Sequence, residues 1–191
     1  MDGFAIRRGT VADLDALVGL EQTGFPDDAF GRGQLRHLLE RAHATIFVLE
    51  ERGEVRGSAA ALWRSGSKVA RLYSIVVDAN YQGRGLGAQL LAACEQAARE
   101  RDCLRMSLEV RVENRQARAF YARQGYRIVE ELPGYYHDGA NGLRMVRELG
   151  ENGDGAIRLE LPYYPQSLEF TCGPACLMMA MSYFAPELEL Q

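Results

Sequence analysis

The chain has 191 residues with a formal net charge of -4 at pH 7, 47% hydrophobic residues and 25% charged ones. That length allows one core and a small appendage, and the composition is that of a globular protein. The acidic balance argues against a protein built to grip nucleic-acid phosphates, while leaving room for a basic patch around an anionic cofactor. Residues 1–8 lack the apolar run and small-residue cleavage site of a signal peptide. No stretch approaches the roughly 18 uninterrupted apolar residues of a membrane span, so no membrane partner is expected. Cys94, Cys103, Cys172 and Cys176 are too few for a disulfide framework, and a cytoplasmic protein with reduced thiols is expected.

In chain order, Thr10 followed by Asp13 reads as a helix start, continued by an apolar face at Leu14, Leu17, Val18 and Leu20. A second helix is expected over 32–42, with Leu35, Leu38 and Leu39 at helical spacing. Three strand-like runs follow at 44–50, 55–63 and 69–78, the first two joined by the turn Glu51-Arg52-Gly53-Glu54. The period of Leu86, Leu90, Leu91, Cys94, Ala97 and Ala98 predicts a helix over 86–101. A strand at 104–111 comes next. Asn114 then caps a helix that runs to Gln124, and Gly125 ends it in a left-handed conformation. Two closing strands occupy 126–132 and 143–149. The order of two helices, three strands, helix, strand, helix, two strands implies a mixed α/β fold with a central sheet flanked by helices. Residues 150–156, rich in glycine and acid without apolar periodicity, read as a linker. A domain over 1–149 therefore precedes a short extension, 157–191.

The strand 72–77 leads through a polar turn into Gln82-Gly83-Arg84-Gly85-Leu86-Gly87 and then a long helix. A helix start has unpartnered N–H groups and the positive end of the helix dipole, and glycines let a pyrophosphate approach the backbone. Arg84 adds a charged donor. Two nucleotide-binding readings fail. A Walker-type loop needs Gly-Lys-Ser or Gly-Lys-Thr, and the glycine spacing here is G-x-G-x-G rather than the dinucleotide G-x-G-x-x-G.

Gln82-Gly83-Arg84-Gly85-Leu86-Gly87-Ala88 resembles the Q/R-x-x-G-x-G/A signature of the GNAT superfamily of N-acetyltransferases, and Ile75-Val76-Val77-Asp78 resembles that family's acetyl-CoA strand. The similarity spans about residues 4–149. It includes in particular the Leu-Glu-Val-Arg, Asn and Ala-x-x-x-Tyr pattern of the ribosomal-protein alanine N-acetyltransferases. The resemblance implies a GNAT fold and acetyl-CoA as cosubstrate. Ile75, Val76 and Val77 would hold the pantetheine arm, with Asn114 near it. Gln82, Gly83, Arg84, Gly85, Leu86, Gly87 and Ala88 would form the pyrophosphate loop.

Acetyl transfer to an amine poses two proton problems. Reference pKa values of about 10.4 for lysine and about 7.7–8.0 for an α-amine leave the acceptor protonated at neutral pH, and the departing thiolate must gain a proton. Glu109 lies in the apolar segment Ser107-Leu108-Glu109-Val110, where burial suits a carboxyl to act as base. Tyr121, within Ala119-Phe120-Tyr121-Ala122, offers a phenol to the leaving sulfur. Both positions match the family's base and acid, including their separation of twelve residues. Taken alone, a strand glutamate is usually solvent-facing and a helix tyrosine usually core; the glycine loop turns both toward catalysis. The backbone N–H of Val77 is the expected oxyanion donor. No metal is implied, since His37, His43 and His137 are scattered without ligand spacing.

Tyr135-Tyr136 would wall the acceptor groove, with Phe25-Pro26-Asp27-Asp28 as the opposite wall. The acceptor read from the resemblance is the N-terminal α-amine of a peptide or protein. A small amine, a lysine side chain, or a non-catalytic acyl-CoA-binding module fused to a peptidase remain open alternatives. A homodimer is an allowed assembly.

Residues 157–191 resemble the opening of a papain-like, double-glycine (bacteriocin-processing) cysteine peptidase. Gln166 is placed for an oxyanion donor and Cys172, in Thr171-Cys172-Gly173-Pro174, for the nucleophile. No histidine follows Cys172 to serve as its base, so this chain is expected to have no peptidase activity. The apolar run 175–184 is expected to pack on the acetyltransferase-like domain or on a second copy.

Overall fold

The computed structural model describes residues 3–25, 28–40 and 43–150. Strand β1 (Phe4–Arg8) and helices α1 (Leu14–Gly24) and α2 (Arg32–Glu40) open the chain, followed by β2 (Ala44–Glu51), β3 (Glu54–Leu62) and β4 (Val69–Val77). Then come α3 (Leu86–Arg99), β5 (Arg105–Arg111), α4 (Arg115–Arg123), β6 (Arg127–Leu132) and β7 (Gly142–Glu148). One seven-stranded sheet runs β1-β2-β3-β4-β5-β7-β6. Its neighbours are antiparallel except β4 and β5.

That parallel pair fixes the position of the site. β4 and β5 are in register only at Val69↔Arg105, Ala70↔Met106 and Arg71↔Ser107; beyond Arg71 they part, leaving a gap in the middle of the sheet. A bulge in β4 adds to the distortion. Ala60 faces Ser74 and Ala61 faces Leu72, so Tyr73 is the extra residue, and a bulge of this kind turns two successive side chains toward one face.

The two faces of the sheet carry separate cores. Leu72, Met106, Leu108 and Val110 point to the face covered by α3 and α4, packing with Leu86, Leu90, Leu91 and Tyr121. Ile46, Val48, Ala60 and Leu62 point to the other face, under Leu14, Leu17, Leu35 and Leu38 of α1 and α2. Under α3 the buried Glu95 accepts from Arg147 at 2.8 and 2.9 Å and from the Tyr126 hydroxyl at 3.1 Å, tying the helix to β7.

The local signals explain most boundaries. Thr10 and Asp13 form a capping box, and Arg7 grips the same carboxylate at 2.8 and 2.9 Å. The hydrogen bonds from Arg7 pull the Asp13 carboxyl down to about 2. The β2–β3 hairpin turns through Arg52 and Gly53, both at positive φ, the geometry that matches strand twist. Asn114 Oδ1 accepts from the Ala117 N–H at 2.9 Å, and Gly125 ends α4 at φ +85°.

Two expectations need revision. β1 precedes the two helices that seemed to open the chain: only Phe4 and Ile6 of its five residues are half-buried, too little alternation to read, and pairing with β2 makes the strand. Helix α3 ends at Arg99 rather than Arg101, because Cys103 N–H caps Ala98 O and Asp102 turns to positive φ. Helix α2 covers residues 32–40 of the helix expected over 32–42, and residues 41–42 lie outside the described residues. The linker 150–156, except Gly150, and the extension 157–191 also lie outside them. Among the described residues no helix is long and apolar enough to cross a membrane.

Candidate active site

The gap between β4 and β5 opens into a cleft of about 730 Å³ that reaches both faces of the sheet. Its two halves follow from strand alternation. On the α3/α4 side lie the glycine loop, Asn114, Phe120 and Tyr121; on the α1/α2 side lie Glu21, Asp28, Arg71, Glu109, Arg111 and Tyr135.

The backbone of β4 supplies the seam. Asp78 N–H donates to Arg56 O, which makes Gly57 and Val77 a non-hydrogen-bonded pair of the β3–β4 ladder. The same alternation leaves the amides of Ile75 and Val77 pointing away from β3, toward the gap. The Val77 carbonyl accepts from Gln82 Nε2 at 3.1 Å, so Gln82 braces the strand end as well as opening the loop.

At the start of α3, Gly83 and Gly85 both sit at φ +77°, and a Cβ on either would meet nothing within 4 Å. The requirement for glycine there is conformational, and the space beside it stays open. The amides of Gly83, Arg84, Gly85, Leu86 and Gly87 have no protein acceptor among the described residues. Five unpaired amides at a helix start form an anion seat. The Arg84 guanidinium lies over the Tyr81 ring, 5.1 Å from its centroid, and does not line the cleft. Gly87 and Ala88 line the cleft, and a Cβ on Gly87 would lie 3.6 Å from the Phe120 ring. Asn114 lines the cleft too, though its side-chain oxygen is engaged in capping α4. The open gap, the two uncommitted strand amides and the unpaired loop amides fit a pantetheine arm ending in a pyrophosphate.

Tyr121 is buried between Phe120 and Tyr126, in edge-on contact at 5.1 and 5.7 Å. Its hydroxyl has no hydrogen-bond partner among the described residues, and burial pushes its pKa up. The phenol thus stays protonated at the edge of the cleft, as a proton donor should.

Glu109 is placed differently from the lone carboxyl expected in an apolar strand. Its Oε2 accepts from Arg71 Nε at 2.8 Å and its Oε1 from Arg144 Nε at 3.2 Å. Glu109 and Arg144 face each other in the β5–β7 register. Arg71 donates onward to the Tyr135 hydroxyl at 2.9 Å. The two expected groove walls meet through a residue the sequence reading passed over. Arg111 holds Asp28 at 2.7 Å and Asp138 at 2.7 Å, with its guanidinium 4.1 Å from the Tyr136 ring centroid. Pro26 and Asp27 of the first wall lie outside the described residues. Arg71, Arg111 and Arg144 had a signal, a charge flanked by apolar residues in each of three strands, but only the sheet order makes them neighbours of the site.

A mixed sheet splayed between β4 and β5, with unpaired strand amides at the gap and a glycine loop at the next helix start, defines an acyl-CoA-dependent N-acyltransferase. The model of the acetyltransferase (GNAT) family matches residues 14–126, and the chain belongs to that family. It is an N-acetyltransferase, and its cosubstrate is acetyl-CoA. A Bacillus subtilis protein named for alanine N-acetylation of ribosomal protein bS18 is 28% identical over 148 residues, covering 77% of this chain and 97% of that one. An N-alpha-acetyltransferase of Sulfurisphaera tokodaii is 29% identical over 157 residues, covering 76% and 93%. Among solved structures, Ard1 from Thermoplasma volcanium superposes with a TM-score of 0.69 at 27% identity, covering 78% of this chain and 99% of that one. The Escherichia coli ribosomal-protein-S18-alanine N-acetyltransferase shares the fold, with a TM-score of 0.70 at 24% identity over 81% and 99%. A second model, of a Peptidase_C39 like family, matches residues 161–191.

Proposed function

We propose that the chain acetylates the N-terminal α-amino group of a peptide or protein, with Glu109 as base and Tyr121 as acid. The observation that carries this reading is the two-sided cleft. Tyr121 and the glycine loop lie on one face of the sheet, and Glu21, Asp28 and Glu109 line the groove on the other, together with Arg71 and Arg111. The groove is bounded by the Arg111-linked segments around Asp28 and Asp138, an arrangement suited to an extended chain end carrying one positive charge. Relatives named for N-alpha acetylation and for ribosomal-protein alanine acetylation support the same acceptor class.

In this mechanism the amides of Gly83, Arg84, Gly85, Leu86 and Gly87 bind the pyrophosphate, and Ile75 and Val77 hold the pantetheine arm between the strands. The Val77 N–H, directed into the gap, would donate to the thioester oxygen as negative charge develops there. Glu109, fixed by Arg71 and Arg144, takes a proton from the acceptor nitrogen, and Tyr121 supplies one to the departing sulfur. The cofactor when bound supplies the activated acetyl group.

We also propose that residues 1–149 form the catalytic domain, 150–156 a linker, and 157–191 part of a peptidase-like domain. The family match over 161–191 supports the last assignment. A cytoplasmic setting suits the buried, unpaired Cys94 and Cys103.

The test is acetyl-CoA turnover against N-terminal peptides, lysine peptides and polyamines in parallel. Preferred turnover of the N-terminal peptides is expected. Preference for polyamines or lysine peptides would overturn the acceptor assignment.

A further inference from the structure

Three carboxyl groups line the acceptor half of the cleft, and two are already bound by arginine. Arg71 and Arg144 occupy both oxygens of Glu109, and Arg111 holds Asp28. Glu21 is different. It is 2% exposed in α1 and lines the cleft, yet its only partners among the described residues are neutral. The Ser74 hydroxyl donates to Oε1 at 2.5 Å, and the Phe30 N–H approaches Oε2 at a long 3.5 Å.

The fold takes specific steps to hold Glu21 there. The β4 bulge turns both Tyr73 and Ser74 toward α1 and α2. Tyr73 stacks on Phe30 with ring centroids 4.7 Å apart, which fixes the segment whose amide approaches Glu21. One turn further along α1, Gly24 packs so tightly on β4 that a Cβ would lie 2.4 Å from Val76 Cγ2. Burying a carboxyl with no cation beside it costs stability, and such a group in a cleft is a candidate for a chemical task.

The acetylation chemistry has such a task. The acceptor nitrogen sheds two protons, one from the ammonium before it attacks and one after it has bonded to the acetyl carbon. We propose that Glu21 receives the first of these, while Glu109 receives the second, an assignment that rests on the acetyl transfer proposed above. The ammonium N–H bond breaks, its electron pair stays on nitrogen, and the proton passes to a Glu21 carboxylate oxygen and then to solvent. The second proton balances the one Tyr121 gives to sulfur. The charged groups lining the cleft with Glu21 are Asp28, Arg71, Glu109, Arg111 and Arg123, and neither they nor the tyrosines that line it are hydrogen-bonded to it. Burial raises the Glu21 pKa, and the Ser74 hydrogen bond opposes that rise. The group is thereby brought toward the working range of a base.

The test is the pH profile of kcat at saturating acceptor peptide. Glu21→Gln, nearly the same shape, is expected to lose the acid limb and to lower plateau kcat by about 10²-fold, with acetyl-CoA affinity unchanged. Ser74→Ala removes the bond that favours the ionised form, so its acid limb should move to higher pH. A Glu21→Gln profile superimposable on wild type would overturn the role. So would an unmoved limb in Ser74→Ala, which decides the matter if Glu21→Gln does not fold. Absence of turnover in the wild type would instead count against acetyl transfer to peptides itself.

Discussion

Replacing Tyr121 with phenylalanine separates chemistry from fold more cleanly than any other single change. The substitution removes one oxygen and leaves the ring between Phe120 and Tyr126. Because that hydroxyl bonds to no described residue, its loss breaks no structural hydrogen bond, and stability should change by no more than about 0.5 kcal/mol. The cofactor seat is made of β4 and loop amides, so acetyl-CoA affinity should stay within about twofold, well under the 1.4 kcal/mol that a tenfold change represents. Proton donation to the leaving group is typically worth about 10²–10⁴-fold, or about 3–5 kcal/mol of transition-state stabilisation. Thiol release in a coupled colorimetric assay, with calorimetric acetyl-CoA binding and a denaturant melt on the same preparation, gives all three quantities. A variant that binds, folds and turns over at the wild-type rate would refute the assignment of Tyr121 as acid.

Other consequences follow from the packing. The Asp13 carboxyl, held at about 2 by Arg7 against an unfolded value of 3.8, contributes about 2 kcal/mol that is present above pH 4. Since its folded pKa is depressed, that contribution disappears as pH falls from about 4 to 2. Urea titrations of Asp13→Asn and wild type should therefore differ at pH 7 and converge near pH 2. Glu95→Ala strands Arg147 and the Tyr126 hydroxyl under α3; it should cost about 3 kcal/mol by chemical denaturation, and a loss below 1 kcal/mol would contradict the reading of that cluster. In Gly57→Ala the new Cβ would lie 2.9 Å from the Val76 carbonyl oxygen. It should force β3 and β4 apart beside the Ile75 and Val77 amides, weakening acetyl-CoA binding by about tenfold in calorimetry.

What could be read in advance depended on whether a feature was local. The glycine loop, the Asn114 cap and the Gly125 end of α4 are short-range patterns, and the described residues carry each of them as expected. Tyr121 was legible because its helical spacing and distance from Glu109 follow one stretch of chain. The surroundings of Glu109 were not, since Arg71 and Arg144 come from strands 38 and 35 residues away and meet it only through the sheet order. Ser74 was hidden for another reason. A bulge at Tyr73 shifts the alternation by one, so a period-two reading of β4 gives these residues the wrong faces. Strand β1 was missed because its identity lies in its pairing with β2.

A peptide that offers both kinds of amine decides which nitrogen the enzyme acetylates. A synthetic peptide with a free N-terminal alanine and one internal lysine is incubated with the full chain and isotopically labelled acetyl-CoA, then sequenced by mass spectrometry. Label is expected on the α-nitrogen, falling at least about 10²-fold in Tyr121→Phe. Label on the lysine, or equal labelling by the variant, would contradict the proposal.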